Sequence, residues 1–325
     1  MKILLTHTPH MRDNYYGARA VAGLQSLGEV TLYQGSETLE GAALIAAGQG
    51  ADLIVADRAT AVPAAIFDGI SGLRAVLRCA VDIRNIDVPA ASSHGVLVTR
   101  AKPGFVESVT ELVFGFLVDL NRGISSATAA YQAGRAPVAQ LGRQLSGTTI
   151  GIIGYGAIGR AVAPLAAAMG MRVLIADPYV AIDEPGFEQV SLEDLLAHSD
   201  HVVCLAVATE ATENLINAAA LARMRRDAVF INVSRGNLVD EAALAAALTE
   251  GRIAGAALDV GRAPDQMPTP ELAALPNVIA TPHIGGLTPP AIEAQALNTV
   301  EQVRAIVEGG IPDGAANAES WSRKP

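Results

Sequence analysis

Three polar residues stand just beyond short apolar runs. Arg235 follows the run at 228–233, Asp259 the run at 255–258, and His283 the run at 277–280. If those runs are parallel strands, their carboxyl ends face the ligand crevice of an open α/β sheet. A planar guanidinium placed there can grip a carboxylate through paired hydrogen bonds and polarise a neighbouring oxygen. An imidazole can exchange a proton near neutral pH. Each residue alone also fits a plain structural role: a surface arginine, a turn-capping aspartate, a satisfied core histidine. Chemistry is indicated by their placement after one further stretch.

That stretch is 148–177, reading TTIGIIGYGAIGRAVAPLAAAMGMRVLIAD. Ile150, Ile152 and Ile153 read as a buried parallel strand. Gly154, Gly156 and Gly159 follow in G-x-G-x-x-G spacing, then an Ala-rich helical segment that Gly170 stops. A second buried strand at 172–176 ends on Asp177, 18 residues beyond Gly159. This strand, glycine turn, helix, strand, acid order is the dinucleotide-binding fingerprint. Gly154 permits the tight turn, Gly156 lets backbone approach a pyrophosphate, and Gly159 lets helix and strand pack closely. The helix N-terminus then faces the phosphates. Asp177 can accept hydrogen bonds from both ribose hydroxyls and would repel a 2′-phosphate, so NAD is expected, not NADP.

Around these elements the 325-residue chain alternates strand-like and helix-like segments, at a length that suits two domains. Strands are expected at 2–5, 30–33, 53–56, 75–79 and 96–99. After Asp177 they are expected at 201–205, 228–233, 255–258 and 277–280. Helices fit 15–27, 104–122, 192–197, 241–249 and 290–307. The stretch 125–146 is long for a connection, so it carries some helix or packs on a partner subunit. The Gly-, Ala- and Ser-rich tail from Gly309 is expected to fray. The first hundred residues precede the fingerprint and form their own α/β unit, to which the last helix returns. The expectation is an α/β protein with a discontinuous first domain, 1–99 with 287–325, and an inserted domain, 100–286. The cleft between them is the default ligand site.

Half the residues are apolar but only 4% are aromatic, so the cores are aliphatic. A net charge of −10 argues against nucleic acid or an anionic membrane as partner. No run reaches transmembrane length and no signal peptide is visible, so a cytoplasmic protein is expected. The sequence ends soon after its closing helix, so no appended serine-sensing domain is expected. Cys79 and Cys204 fall in predicted strands and read as inert core thiols. His7 and His10 follow the first strand and could line the cleft, but their spacing is weak for a metal site; no metal is expected. His94, His198 and His201 read as structural or exposed.

Taken together, the chain resembles the D-isomer-specific 2-hydroxyacid dehydrogenase family, which includes glycerate, phosphoglycerate and D-lactate dehydrogenases. The resemblance spans most of the chain. It rests on Asn85-Ile86-Asp87, Ser108-Val109-Thr110-Glu111-Leu112, the glycine turn, Asn232 to Glu241 and Thr281-Pro282-His283-Ile284-Gly285-Gly286. It implies a flavodoxin-like substrate domain, an inserted Rossmann NAD-binding domain and a homodimer. It also implies a reaction: hydride transfer between NAD(H) and a small 2-keto or D-2-hydroxy acid, of hydroxypyruvate, glyoxylate or phosphoglycerate type. Arg235 and His283 match the family's catalytic arginine and histidine. Cofactor contacts are implied for Gly154, Tyr155, Gly156, Ala157, Ile158, Gly159 and Asp177. Further along they are implied for Val207, Thr212, Val233, Ser234, Asp259 and Gly285, with Asp259 on the nicotinamide carboxamide.

Two departures from the family pattern bear on the chemistry. A glutamate usually follows the Asp-Val pair and charges the histidine. Here the text is Asp259-Val260-Gly261-Arg262-Ala263-Pro264-Asp265-Gln266-Met267-Pro268. Counting forward puts Pro264 at that position; counting back from Pro268 puts Asp265 there, with one residue inserted. A carboxylate must be near to raise the histidine pKa, so Asp265 is expected as the third catalytic residue. The substrate loop departs too: where relatives are glycine-rich it reads Cys79-Ala80-Val81-Asp82-Ile83-Arg84. Main-chain donors at Val81 and Asp82 are the expected substrate contacts, alongside Arg235. The Asp82 carboxylate would repel an anion unless it points away, pairs with Arg84 or meets a substrate hydroxyl or amine. Arg100 and Lys102 read as surface residues that could otherwise bind a second acidic group. Two other readings stand beside the enzyme: a non-catalytic NAD-sensing interaction protein on this scaffold, and a formate- or phosphite-type dehydrogenase.

Overall fold

The computed structural model describes residues 1–324. The chain forms two compact units, Met1–Phe105 together with the chain from Thr288 onward, and Val106–Leu287. Five strands build the first: β1 (Lys2–Leu5), β2 (Glu29–Leu32), β3 (Leu53–Ala56), β4 (Ala75–Arg78) and β5 (Leu97–Arg100). Between them lie α1 (Pro9–Tyr15), α2 (Ala18–Gln25), α3 (Gly41–Ala47), α4 (Ala64–Gly69) and α5 (Val88–Ser93). The sheet is parallel in the order β2-β1-β3-β4-β5, the flavodoxin-like order. Its central strand β3, LIVA, is buried along its whole length, as a strand covered on both faces must be. Leu5, Tyr16, Leu24 and Val303 pack on one face, and Leu44, Ile54, Ile66 and Phe67 on the other. The helix expected over 15–27 begins only at Ala18, because Gly17 turns the chain at φ 86°, and a separate helix that was not expected covers Pro9–Tyr15.

The second unit opens with α6 (Val106–Arg122) and α7 (Ile124–Gln132). It continues through β6 (Thr149–Ile153), α8 (Ala157–Ala168), β7 (Arg172–Ala176), β8 (Phe187–Gln189), α9 (Leu192–His198) and β9 (His201–Cys204). It closes with α10 (Ala218–Arg223), β10 (Val229–Asn232), α11 (Glu241–Thr249), β11 (Gly255–Leu258), α12 (Pro270–Ala273) and β12 (Val278–Ala280). All seven strands are parallel, in the order β12-β11-β10-β9-β6-β7-β8. The order reverses between β6 and β9, so the glycine turn after β6 stands at the topological switch point, where ligands of open α/β sheets bind. Gly159, Val162, Ala163 and Ala166 form the buried face of α8, small enough to bring the helix close to β6 and β7. In the stretch 125–146, α7 extends to Gln132 and the remainder is irregular.

The chain returns to the first unit with α13 (Pro289–Val307), opened by two prolines where no N–H is needed. The domain boundary expected after residue 99 lies at Phe105, because Arg100, Ala101 and Lys102 are tied to the first unit. Their N–H groups donate to Gly314 O (3.0 Å), Ala80 O (2.9 Å) and Asn298 Oδ1 (2.9 Å). The tail expected to fray is docked instead. Asn317 accepts from Val98 N at 2.8 Å and donates to Val96 O at 2.9 Å, and buried Trp321 donates to Arg74 O at 3.1 Å. The Asn317 bonds cover the open edge of β5. No helix among the described residues is long and apolar enough to cross a membrane.

Candidate active site

The glycine turn has the geometry its spacing requires. Gly154 sits at φ 96°, and a Cβ there would lie 2.8 Å from the Leu205–Ala206 backbone. A Cβ on Gly159 would lie 2.4 Å from Gly154 O. Gly156 has open space where its Cβ would be, and no side chain caps the helix it begins. The first N–H groups of α8, at Ala157 and Ile158, thus border a cradle clear of side chains, which fits a pyrophosphate. Asp177 Oδ2 accepts from Tyr155 N at 2.7 Å and Oδ1 from Tyr179 N at 2.8 Å. Each oxygen keeps a lone pair, so the carboxylate fits the two hydroxyls of a ribose. The Tyr155 ring is buried, with its hydroxyl on Glu184 and the Arg160 guanidinium 4.5 Å from its centroid. Burial, and then the Glu184 bond, push this phenol up to about 12.

Beyond β9, Thr212 Oγ1 donates to Val207 O at 2.8 Å and holds that loop, leaving the Val207 side chain exposed. Beyond β10, buried Asn232 shapes the turn: Oδ1 accepts from Ser234 N at 3.1 Å and Nδ2 donates to Arg235 O at 2.9 Å. Val233 is buried, and Ser234 Oγ donates to Ala206 O at 2.6 Å, linking the two loops. Half-buried Arg235 has its Nη1 2.7 Å from Ser234 O. The next residue, Gly236, touches Gly261 so closely that a Cβ would lie 2.1 Å from Gly261 O.

Asp259, buried at the end of β11, braces the loop after β12. It accepts from Thr281 Oγ1 (2.7 Å), Ile284 N (2.7 Å) and Gly285 N (2.8 Å). Within that loop His283 adopts φ 55°, an uncommon conformation for a non-glycine residue. Its Nδ1 lies 2.9 Å from the main-chain carbonyl oxygen of Asp265. A carbonyl only accepts, so Nδ1 carries the proton and Nε2 is the nitrogen left to exchange one. The sequence placed the Asp265 carboxylate against this ring; at Nδ1 the structure places the carbonyl of the same residue. The reason is backbone geometry: Asp265 and Gln266 take φ 56° and 58°, a tight left-handed turn that aims the carbonyl at the imidazole.

Sequence reasoning did not single out Arg262 or Glu241. Arg262 Nη2 reaches Glu213 Oε1 (2.8 Å), Asn214 Oδ1 (2.7 Å) and Asn237 O (3.1 Å), and Nε reaches Val239 O (3.2 Å). Glu241 Oε1 accepts from Arg262 N (2.9 Å) and Oε2 from Thr269 Oγ1 (3.0 Å). The Glu241 of the Val239-Asp240-Glu241 motif was the one available signal.

In the first unit, half-buried Asp82 is paired with Arg84. Nη2 donates to Oδ2 at 2.6 Å and Nε to Oδ1 at 3.0 Å, which offsets the carboxylate charge and raises the arginine pKa. Val81 beside it is half-buried. Lys102 pairs with Asp313 at 2.8 Å on the surface, and Arg100 is exposed. Cys79 and Cys204 are buried free thiols, both pushed up to about 12 by burial. His10 and His198 are exposed, whereas His7 and His201 are buried. His94 bonds Asp68 at 2.9 Å.

A glycine-turn nucleotide cradle at the switch point of a parallel sheet, with arginine and histidine on the same carboxyl edge, defines a dinucleotide-binding scaffold. Residues 114–285 match the family model described as D-isomer specific 2-hydroxyacid dehydrogenase, NAD binding domain. The chain belongs to this family. It is 34% identical over 273 residues to a hydroxypyruvate reductase of Thermotoga maritima, covering 82% of this chain and 89% of that one. It is 33% identical over 322 residues to a D-3-phosphoglycerate dehydrogenase of Methanocaldococcus jannaschii, covering 98% of this chain and 59% of that one. The chain thus spans little more than half the length of the phosphoglycerate dehydrogenases it matches. Among solved structures, the TT0316 protein of Thermus thermophilus superposes with a TM-score of 0.86 at 31% identity, covering 97% of this chain and all of that one.

Proposed function

We propose that the chain interconverts a small 2-keto acid and its D-2-hydroxy acid with NAD(H). The carrying observation is that His283 offers Nε2 on the same sheet edge as Arg235 and the glycine turn, with Nδ1 already engaged. NAD, when bound, takes or gives the hydride. Arg235 grips the substrate carboxylate and polarises the C2 oxygen, and His283 Nε2 delivers the proton in reduction or accepts it in oxidation. The relatives' names make hydroxypyruvate, glyoxylate and phosphoglycerate-like acids the substrates to try first. A panel of 2-keto acids scored by loss of NADH tests the reading. Binding of NADH without turnover of any acid would favour the sensor, a reading kept open because a carbonyl stands where a carboxylate was expected.

NADH should be preferred to NADPH, since a 2′-phosphate would meet the Asp177 carboxylate. Equal kcat/KM for both cofactors would overturn that assignment, and Asp177→Ala should narrow the gap. We further propose a cytoplasmic homodimer. Val138 and Leu141 are 84% and 104% exposed on the irregular stretch after α7, close in sequence to exposed Ile124 and Tyr131. Large apolar side chains exposed together on one stretch support an interface there. Sedimentation should give twice the 33.5 kDa chain mass, and Leu141→Asp should halve it.

A further inference from the structure

We propose that Arg262 and Glu241 are positioning residues for His283, acting through the main-chain carbonyl of Asp265. The proposal rests on His283 being the proton-exchanging group. A carboxylate partner would orient the imidazole and also favour its charged form. A neutral carbonyl supplies orientation alone, so the geometry of the loop carrying it decides where the ring points.

That loop has little regular structure of its own. Gly261 N donates to Gln266 O at 2.7 Å and Ala263 N to Met267 O at 3.0 Å, closing it around two left-handed residues. Non-glycine residues hold such a conformation only where their surroundings impose it. The surroundings are Glu241 and Arg262. One oxygen of Glu241 takes the N–H of Arg262 at the start of the loop, and the other takes the Thr269 hydroxyl at its end. Glu241 is the first residue of α11, fixed by the Asp240 cap on Ala243 N at 3.0 Å, so both loop ends are tied to a rigid helix. The Arg262 side chain then fastens the loop to two neighbouring segments, at Glu213–Asn214 and Asn237–Val239. The second segment begins beside Arg235, and the Gly236–Gly261 contact joins the strand ends directly. One latch thereby sets the loop that holds the imidazole against the segment that presents the guanidinium.

The test reads the tautomer of His283 by nitrogen NMR on histidine-labelled full-length protein, with the signal identified by its loss in His283→Gln. Kinetics and thermal melts accompany it. In the unmutated protein the ring should be protonated on Nδ1 alone. In Arg262→Lys and in Glu241→Gln both tautomers should appear, and kcat should fall at least about tenfold. KM for NADH should stay near its starting value and the melt should stay cooperative. A single Nδ1–H tautomer with native kcat in both variants overturns the proposal, as does an Nε2–H tautomer in the unmutated protein. If one variant does not fold, the other decides. If tautomer control is lost in the variants but no keto acid turns over in any form, the oxidoreductase reading fails and the positioning role stands.

Discussion

Both units carry polar residues at the carboxyl ends of their strands, and the two sets are used in opposite ways. In the first unit Thr6, Asp57, Thr60 and Arg78 are buried and bonded among themselves. Asp57 accepts from both threonine hydroxyls, at 3.1 and 2.7 Å, and from Ala59 N and Thr60 N. Arg78 donates to the carbonyls of Asp57, Arg58 and Thr60, and burial pulls its pKa down to about 10. In the second unit Asn232 and Asp259 are enclosed, while Arg235 and His283 are each half-exposed, with a main-chain oxygen beside one nitrogen of each. A side chain enclosed by its own unit braces the loops around it. A half-exposed side chain oriented by its own loop is placed to meet a ligand. Strand-end position alone therefore does not identify chemistry; the way hydrogen-bonding capacity is divided does.

The largest effects should separate these two uses. His283→Ala should lower turnover by about 10²–10⁴-fold while the melting temperature barely moves. Arg235→Lys should also lose most turnover with NADH affinity little changed, since an ammonium cannot reproduce the guanidinium fork. Near-normal steady-state kinetics in either variant would remove that residue from the site. Asp57→Ala should do the reverse. It leaves two buried hydroxyls and two N–H groups without their acceptor, a loss of about 3 kcal/mol or more in urea unfolding. A turnover loss with unchanged unfolding would mean the first-unit set had been misread.

A smaller effect depends on pH. His7 is buried, and burial, assisted by Arg12 and Arg78 and opposed by Asp57, lowers its pKa from 6.5 to about 4. His201, buried against Asn121 at 2.9 Å, is likewise lowered to about 4 by burial first and Arg143 second. Both are depressed bases, so the unfolded chain binds their protons more tightly than the folded one. Stability should be full above the unfolded value of about 6.5 and fall as pH drops toward 4, by on the order of 2 kcal/mol per histidine at pH 5. Urea unfolding at pH 7 and pH 5 measures this. His7→Gln and His201→Gln should each flatten the dependence, and an unchanged slope would show that carboxylates set it instead.

What the sequence made legible follows the same division. The glycine turn was readable because Gly154 and Gly159 are required by contacts no other residue permits. Strands β1, β3 and β11 and helix α11 were readable to the residue because their apolar runs end sharply. The partner of His283 was not, since every residue has a carbonyl and only the left-handed turn at Asp265–Gln266 aims this one. The docked tail was hidden by its Gly- and Ala-rich composition, in which Asn317 and Trp321 do the anchoring. The Asn121–His201 pair, 80 residues apart in the chain, has no local signal.

The smallest expected change is the sharpest test of what holds the His283 imidazole. An opposite charge within about 4–6 Å of a histidine favours its protonated form, commonly by a unit or more of pKa. If the Asp265 carboxylate acted on His283 in that way, Asp265→Asn would shift the reductive kcat/KM profile to lower pH, because activity needs the ring protonated. Asparagine keeps the carbonyl and tolerates the left-handed conformation well, so the bond to Nδ1 survives the substitution. The pH midpoint should therefore stay where it is in the unmutated protein. Asp265→Val keeps the carbonyl but disfavours the backbone at φ 56°, so it should lower kcat. A midpoint moved acidward by Asp265→Asn, with Asp265→Val no worse, would return the role to the carboxylate.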